Sequence, residues 1–313
     1  MQLYIWRGAT RNFGDELNEL LWPRLLPGLL GDGGPDHAGS PLFLGIGSVL
    51  DARHPAHHRK IVAGAGFGGY HKPVSLDGSW EIYWVRGPCT ARQLGLPAAF
   101  GLGDPASLLP LVHAPARCSA KAIGFMPHFE SLARGAWAEA AAAAGVTLID
   151  PRGAPETILD QIAGCRLLLS EALHGVIVAD AMRIPWVALA PVAPIHRAKW
   201  HDWAEAQDVT IRFQSLPPSC RQEHIAIAVA PYRRAVRSVA ACAGALARRI
   251  DCRSAYLERA AAALRGAAAA PSQLSRDRAL SRAQVRMLER LHTLRAGPLR
   301  RGGNSKYDAS RVG

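Results

Sequence analysis

The stretch RLLLSEALHGVIVADAMRIPWVALA, residues 166–190, decides the fold class. It opens with the apolar run Arg166–Ser170, continues through an apolar helical pattern at His174–Met182, and closes on a second apolar run, Pro185–Ala190. Such runs on either side of a helix predict two parallel strands joined by a crossover helix. The polar turn before the helix lies at the carboxyl end of a strand, which is where sheets of this class bind ligands.

The same alternation of strand and helix extends upstream. In the nearer part we predict strands at Ala122–Met126 and Val146–Asp150 and helices at Ser131–Ala144 and Pro155–Ala163. In the first hundred residues we predict strands at Leu3–Trp6, Leu42–Ile46, Lys60–Ala63, Trp80–Val85 and Ala98–Leu102. We therefore expect an α/β protein with two Rossmann-like, doubly wound domains that face a cleft, an arrangement resembling GT-B glycosyltransferases.

Changes of composition divide the chain into segments. A proline-containing linker at 113–119 separates an N-terminal Rossmann-like domain, residues 1–116, from a C-terminal one, residues 120–219. Residues 220–296 are rich in Ala and Arg and predict a basic helical extension, and residues 297–313 are predicted to be a disordered tail.

Composition excludes several classes of protein. Hydrophobic residues make up 49% of the 313 residues, which is enough for a large core and too many for a disordered chain. The 6 cysteines form no C-x-x-C pair, so we expect reduced thiols and no zinc site. The N-terminus lacks a signal-peptide pattern, and no apolar run approaches the ~18 residues of a membrane span. We therefore expect a cytoplasmic protein.

The net charge of +12 is unevenly distributed. Residues 231–313 hold 18 Lys and Arg against 5 Asp and Glu, whereas the first 230 residues hold 19 against 20. The charge pattern by itself allows anionic lipid, nucleic acid or no ligand. We expect peripheral contact with the anionic inner face of the plasma membrane and no specific nucleic acid.

The turn after the strand Arg166–Ser170 carries the sharpest chemical signal. His174 follows the strand at the start of the helix, where it can act as a general acid or base, although a lone His is often structural. A helix N-terminus disfavours an imidazolium, and Glu171 beside it would offset that effect. We assign Ser170 and Gly175, which flank the two, to the donor side of the site.

Three other strand ends carry polar motifs with two interpretations each. In Asn12-Phe13-Gly14-Asp15, Asp15 is either a helix cap or a carboxylate that accepts a hydroxyl proton in the cleft. Arg86 is either a surface ion-pair partner or a fork for phosphate or carboxylate. Asp104 is either an N-cap or a cleft residue.

Two further motifs remain open. The run Gly64-Ala65-Gly66-Phe67-Gly68-Gly69 matches G-x-G-x-x-G, yet no helix is predicted after it. One interpretation is a turn that needs positive φ. The other is an anion or dinucleotide site in which Gly66 would line the cleft. Near residue 200, Lys199 and Arg197 suggest anion binding. Trp200 is either a sugar contact or an anchor of its helix.

Taken in order, these motifs resemble the polysaccharide pyruvyl transferase family, and within it members that serve succinoglycan biosynthesis. The resemblance rests on Asn12-Phe13-Gly14-Asp15, Arg86-Gly87-Pro88, Gly103-Asp104-Pro105-Ala106 and Ser170-x-x-x-His174-Gly175-x-Ile177-x-Ala179-Asp180-Ala181, and covers about residues 1–210. It implies a GT-B-like fold, phosphoenolpyruvate as the donor and a hexose of a lipid-linked surface glycan as the acceptor. The product would be a pyruvate ketal bridging two sugar hydroxyls.

The resemblance also implies roles for single residues. The family's catalytic His corresponds to His174, and its donor-binding Arg of the first domain to Arg86. Some members carry an Arg two residues before the His, where this chain has Ala172, so Lys199 or Arg197 would replace that contact. The scheme requires no metal and no cofactor beyond the donor. The alternatives are a nucleotide-sugar glycosyltransferase of the same architecture and a non-catalytic binding protein.

Overall fold

The structure, a computed structural model, describes residues 1–31, 39–114, 122–190, 197–229 and 253–297. The strands in these ranges form two parallel sheets with helices packed against them, which confirms the α/β class. Within the same ranges, no helix is long and apolar enough to span a bilayer.

The first sheet has 4 strands in the order β1-β2-β3-β4. They are β1 (Gln2–Tyr4), β2 (Leu42–Leu44), β3 (Lys60–Ala63) and β4 (Trp80–Trp84). A sequential order contains no reversal, so the prediction that this half is doubly wound is wrong. The last three strands are joined by loops, at 45–59 and 64–79, and not by helices. Both loops are rich in Gly, Pro and His, and Gly and Pro disfavour a helix.

The second sheet has 5 strands in the order β6-β5-β7-β8-β9 and is doubly wound. They are β5 (Ala122–Met126), β6 (Thr147–Leu148), β7 (Cys165–Ser170), β8 (Trp186–Leu189) and β9 (Phe213–Gln214). The chain leaves β5 toward β6 on one side and returns to β7 on the other. The loops after β5 and β7 therefore flank a topological switch point, where such sheets form a ligand crevice.

The helices follow the strands along the chain. They are α1 (Phe13–Leu25), α2 (Pro88–Gln93), α3 (Leu109–Val112), α4 (Phe129–Arg134), α5 (Trp137–Ala144), α6 (Pro155–Ala163), α7 (Leu173–Ala181), α8 (Arg197–Ala206), α9 (Arg221–Val229), α10 (Arg253–Ala269) and α11 (Asp277–Ala296), with 3-10 turns at Ala98–Phe100 and Pro105–Leu108.

Local sequence patterns mispredicted a few elements. In place of the strand predicted at Ala98–Leu102, the chain forms a 3-10 turn at Ala98–Phe100, and Gly101 makes an isolated bridge with Val85, just after β4. The single helix predicted at Ser131–Ala144 is two helices, because the chain breaks at Gly135, where a Cβ would lie 2.5 Å from Ser219 Oγ. Strand β9 was not predicted, since two residues carry too weak a pattern.

One buried apolar cluster joins the two halves. It contains Leu17 of α1, Ile158 of α6 and Val176 of α7, together with Met287 and Leu291 of α11. A second cluster packs α10 against the second sheet through residues that include Leu264, Leu169 and Val187. The described part of the segment predicted as a helical extension is mostly helical, and its helices α10 and α11 contribute to the core. Residues 230–252, 298–313 and most of the predicted linker lie outside the described residues.

Candidate active site

The turn between β7 and α7 presents His174 at the switch point of the second sheet. Ser170 shapes this turn, because its Oγ accepts the Ala172 N–H at 3.1 Å and donates to the Ala172 carbonyl at 2.8 Å. Gly175 permits close packing, since a Cβ there would lie 2.6 Å from Met126 Sδ. Ser170 and Gly175 are both buried, and both shape the turn that carries His174.

The His174 ring is held by residues of the first half. Its Nε2 lies 3.5 Å from Oδ2 of Asp104, with side-chain exposures of 14% and 1%. Both atoms are buried, and neither makes a hydrogen bond with the described residues. The other side of the ring lies against Gly14, where a Cβ would be 2.0 Å from Nδ1. Residues from both halves thus build one site around the imidazole.

Asp104 serves two purposes with its two oxygens. Oδ1 accepts the Ala106 N–H at 3.0 Å and caps the 3-10 turn Pro105–Leu108, which was one of its two predicted interpretations. This cap fixes the side chain and directs Oδ2 toward His174. A carboxylate at this distance can orient the imidazole ring.

Asp15 lies near the start of α1 and is also buried. Asn12 precedes the helix, but its side chain does not cap it; Nδ2 donates instead to Asp15 Oδ2 at 2.6 Å. Burial raises the pKa of Asp15, and the Asn12 hydrogen bond and the charges of His174 and Lys199 partly oppose this shift. A carboxylate with a raised pKa is suited to accept a proton.

Glu171 is held by hydrogen bonds to the segment that follows β5. Its Oε2 accepts the His128 N–H at 2.9 Å, and its Oε1 accepts the Ser131 hydroxyl at 2.9 Å. Glu171 therefore ties the loop after β5 to the loop after β7 and stabilises the start of α4. The carboxylate recorded beside the imidazole is Asp104.

Arg86 is buried rather than open to a donor. Its side chain is 1% exposed, and it donates from Nε to Asp202 Oδ2 at 3.0 Å, from Nη1 to Ser48 Oγ at 2.8 Å and from Nη2 to the Phe67 carbonyl at 2.9 Å. Asp202 also accepts the Thr90 N–H and hydroxyl, at 2.9 and 2.6 Å. Of the two predicted interpretations of Arg86, the structure shows the ion pair, buried rather than at the surface, and this pair fixes α8 against the first sheet.

The glycine-rich run is a loop with backbone requirements of its own. Gly64 and Gly69 have φ of +99° and +74°, which supports the positive-φ interpretation. Gly66 packs on the guanidinium, since a Cβ there would lie 2.2 Å from Arg86 Cζ. No helix follows within the described residues 39–79, so the dinucleotide interpretation gains no support.

Lys199 on α8 reaches the same site. It is half-buried and makes no hydrogen bond or ion pair with another described residue. Burial and the nearby Arg86 charge lower its pKa to about 8, against the opposing charges of Asp15, Glu130 and Asp104. Its ammonium is thus the cation of α8 that lies among the site carboxylates.

The other residues predicted near 200 lie elsewhere. Trp200 is completely buried and packs edge-on against Phe213, with ring centroids 5.4 Å apart, so it anchors α8 and offers no surface to a sugar. Arg197 is exposed, with its guanidinium 5.9 Å from the Phe213 ring centroid.

Sequence reasoning did not identify Asp202 as a site residue. It is separated from Arg86 by 116 residues, and no local motif signals the pair. In the described residues, no group of three or more His, Cys, Asp or Glu gathers as a metal site.

Comparisons with known proteins agree with the resemblance seen in the motifs. The family model described as polysaccharide pyruvyl transferase matches residues 33–191. The chain is also 37% identical to the succinoglycan biosynthesis protein ExoV of Rhizobium meliloti (strain 1021) over 228 residues. This alignment covers 71% of this chain and 70% of that protein. No solved structure matches the chain. The chain therefore belongs to the polysaccharide pyruvyl transferase family.

Proposed function

We propose that the chain transfers the pyruvyl group of phosphoenolpyruvate to a hexose of a surface polysaccharide and forms a pyruvate ketal. Family membership supports the transferase class and a role in polysaccharide biosynthesis. The observation that carries the proposal is the buried pair of His174 and Asp104, with Nε2 and Oδ2 3.5 Å apart at the switch point. Such a pair can orient an imidazole for proton transfer inside a largely buried site.

The chemistry needs an acid first. The π electrons of the donor's double bond take a proton from the His174 imidazolium at the methylene carbon, which leaves a cation at the carbon bearing the phosphate. One sugar hydroxyl adds to this carbon and gives its proton to Asp15. A second hydroxyl then displaces phosphate; its proton returns to His174, and Asp15 passes the first proton to the leaving phosphate. Asp104 orients the His174 ring toward the donor in this scheme.

Asp15 is the proposed base for the attacking hydroxyl. It lies in the electrostatic range of His174, and its raised pKa makes it a stronger base than an exposed carboxylate. Lys199 is the proposed donor contact that replaces the cation absent at Ala172. Its ammonium provides a point charge for phosphate or carboxylate without the fixed geometry of an arginine.

Arg86 supports the site indirectly in this proposal. Its ion pair with Asp202 fixes α8, and α8 carries Lys199.

We extend the proposal to a GT-B-like closing of the two halves and to a lipid-linked acceptor at the inner membrane face. The exposed arginines Arg282 and Arg286 of α11 add to a basic character that supports contact with anionic lipid.

The test is product formation in D2O with phosphoenolpyruvate and a lipid-linked glycan. Wild type is expected to yield a ketal whose methyl group carries one deuterium from solvent, as shown by mass spectrometry. His174→Ala is expected to lose about 10²–10⁴-fold in rate. The exposed His292 provides the control, and His292→Ala is expected to keep wild-type activity.

Asp104→Asn separates the two roles of Asp104. Its amide oxygen can still cap the 3-10 turn, whereas the negative charge beside His174 is removed. We expect the variant to fold normally and to lose kcat, because a neutral amide orients the His174 ring less well than the carboxylate does. A wild type that neither binds phosphoenolpyruvate nor forms a ketal would refute the proposal.

A further inference from the structure

A fully buried side-chain amide joins α1 to the loop after β2. Asn18 is 0% exposed; its Nδ2 donates to the Ile46 carbonyl at 2.9 Å, and its Oδ1 accepts the Ile46 N–H at 2.8 Å. Nδ2 also donates to the Asp15 carbonyl at 2.9 Å, and Oδ1 also accepts the Trp22 indole N–H at 2.8 Å. The amide therefore makes all four of its hydrogen bonds inside the protein.

The backbone that Asn18 holds borders the Asp15 carboxyl group. Gly47 follows Ile46 with a φ of +128°, and a Cβ there would lie 3.5 Å from Asp15 Oδ1. The Gly47 carbonyl accepts the Gly66 N–H at 2.8 Å, so the loop after β3 holds the same backbone from its other side. The backbone at 46–47 is thus fixed, and Asn18 sets the distance of α1 from it.

The first turn of α1 carries two parts of the site. Asp15 is the proposed base, and Gly14 lies against the His174 ring, where a Cβ would be 2.0 Å from Nδ1. Asn18 follows them about one turn later, and its hydrogen bond to the Asp15 carbonyl reaches back to that first turn. A shift of α1 away from the loop would therefore move the proposed base and the support of the proposed acid together.

We infer that Asn18 is a positioning residue, whose amide sets the place of Asp15 and of the contact between Gly14 and His174. The inference rests on the proposed function and names a residue that acts through these groups. Asparagine suits this role because its amide offers a donor and an acceptor side by side, which match the C=O and N–H of one backbone residue. A carboxylate lacks the donor, and an alkyl group lacks both.

The experiment uses Asn18→Leu, which keeps the branching at Cγ and removes all four hydrogen bonds. We expect kcat for ketal formation to fall on the order of 10²-fold, because a misplacement of about 1 Å at a reacting group has that cost. The affinity for phosphoenolpyruvate, measured by calorimetry, is expected to stay within about twofold of wild type, since the proposed donor contact, Lys199, lies on α8. The imidazole NMR signals of His174, assigned by their loss in His174→Ala, are expected to shift.

Gln273→Met is the matched control. The Gln273 side chain pairs in the same way with the N–H and C=O of Arg212, at 2.7 and 3.1 Å, and the residue is 6% exposed. Its backbone pairs with Trp186 at the amino end of β8, whereas His174 follows the carboxyl end of β7. The variant is expected to lower the Tm, as Asn18→Leu does, because both leave a backbone N–H and C=O without a partner. It is expected to keep the kcat and the His174 signals of wild type.

The inference is overturned if the His174 signals stay unshifted in Asn18→Leu, or if its kcat stays within about threefold of wild type. An equal loss of kcat in Gln273→Met would also overturn it, since lower stability would then explain both. Where Asn18→Leu does not fold, Asn18→Asp decides in the same way, because it keeps both acceptor bonds and loses the donor to the Asp15 carbonyl. A wild type that forms no ketal would refute the proposed function, whereas the NMR comparison needs no substrate and still tests Asn18.

Discussion

Gly14→Ala tests whether the position of His174 determines activity. The new Cβ would lie 2.0 Å from His174 Nδ1 and 2.7 Å from both Cε1 and Cγ. Non-bonded heavy atoms prefer a separation of about 3.5 Å, so the ring and α1 must move apart by roughly 1.5 Å. Asp104 on the far side of the ring and the packed start of α7 leave the ring little room to yield.

The size of the effect follows from the required displacement. A misplacement of about 1 Å at a reacting group costs on the order of 10²-fold in rate, and we expect a loss of that size in kcat. Overpacking is expected to lower the free energy of unfolding by about 1–3 kcal/mol, partly offset by the ~1 kcal/mol that alanine gains over glycine inside a helix. The variant should therefore stay folded while its kcat falls.

The assay measures kcat with phosphoenolpyruvate and acceptor glycan, alongside thermal unfolding. Gly78→Ala is the control, because a Cβ at Gly78 meets no atom within 4 Å and the residue is exposed. It is expected to match wild type in both measurements. If Gly14→Ala kept activity within about threefold of wild type while folding normally, the contact between Gly14 and His174 would not control catalysis, and the reasoning would fail.

Three other changes test the buried ion pair, the shared core and the donor contact. Asp202→Ala leaves the Arg86 charge buried and unpaired, and is expected to lower the free energy of unfolding by about 3–5 kcal/mol in urea denaturation. Met287→Ala opens a cavity in the shared core and is expected to cost about 2–5 kcal/mol, which would show that α11 belongs to the fold. Raising the pH through about 8 removes the charge of Lys199, so calorimetry is expected to show weaker binding of phosphoenolpyruvate above that pH, and Lys199→Arg should retain binding at higher pH.

Neighbouring residues provide controls for these variants. Glu205, on the same helix as Asp202, pairs with Arg92 at the surface, and Glu205→Ala is expected to cost less than ~1 kcal/mol. Leu288 is next to Met287 and partly exposed, so Leu288→Ala should leave stability nearly unchanged. A donor affinity that stays constant across pH 8 in wild type would remove Lys199 from the donor site.

Local pattern was sufficient for most of the second half. Alternating apolar runs and helical periodicity placed β5, β7, β8, α6 and α7 within one or two residues of their observed bounds. The first half was predicted less well, because its strands are joined by irregular loops and the order of strands in a sheet leaves no local signal. The prediction of a doubly wound first sheet failed for that reason.

The sequence by itself determined the α/β class, the family and the position of His174 at the end of a strand. These depend on neighbouring residues, whose apolar spacing and turn chemistry are visible along the chain. Only the tertiary structure decided that Asp104 lies beside His174, that Arg86 is buried against Asp202, and that Trp200 belongs to the core. Each depends on packing between residues distant in sequence, and a buried charge can take its partner from any element that the fold brings near.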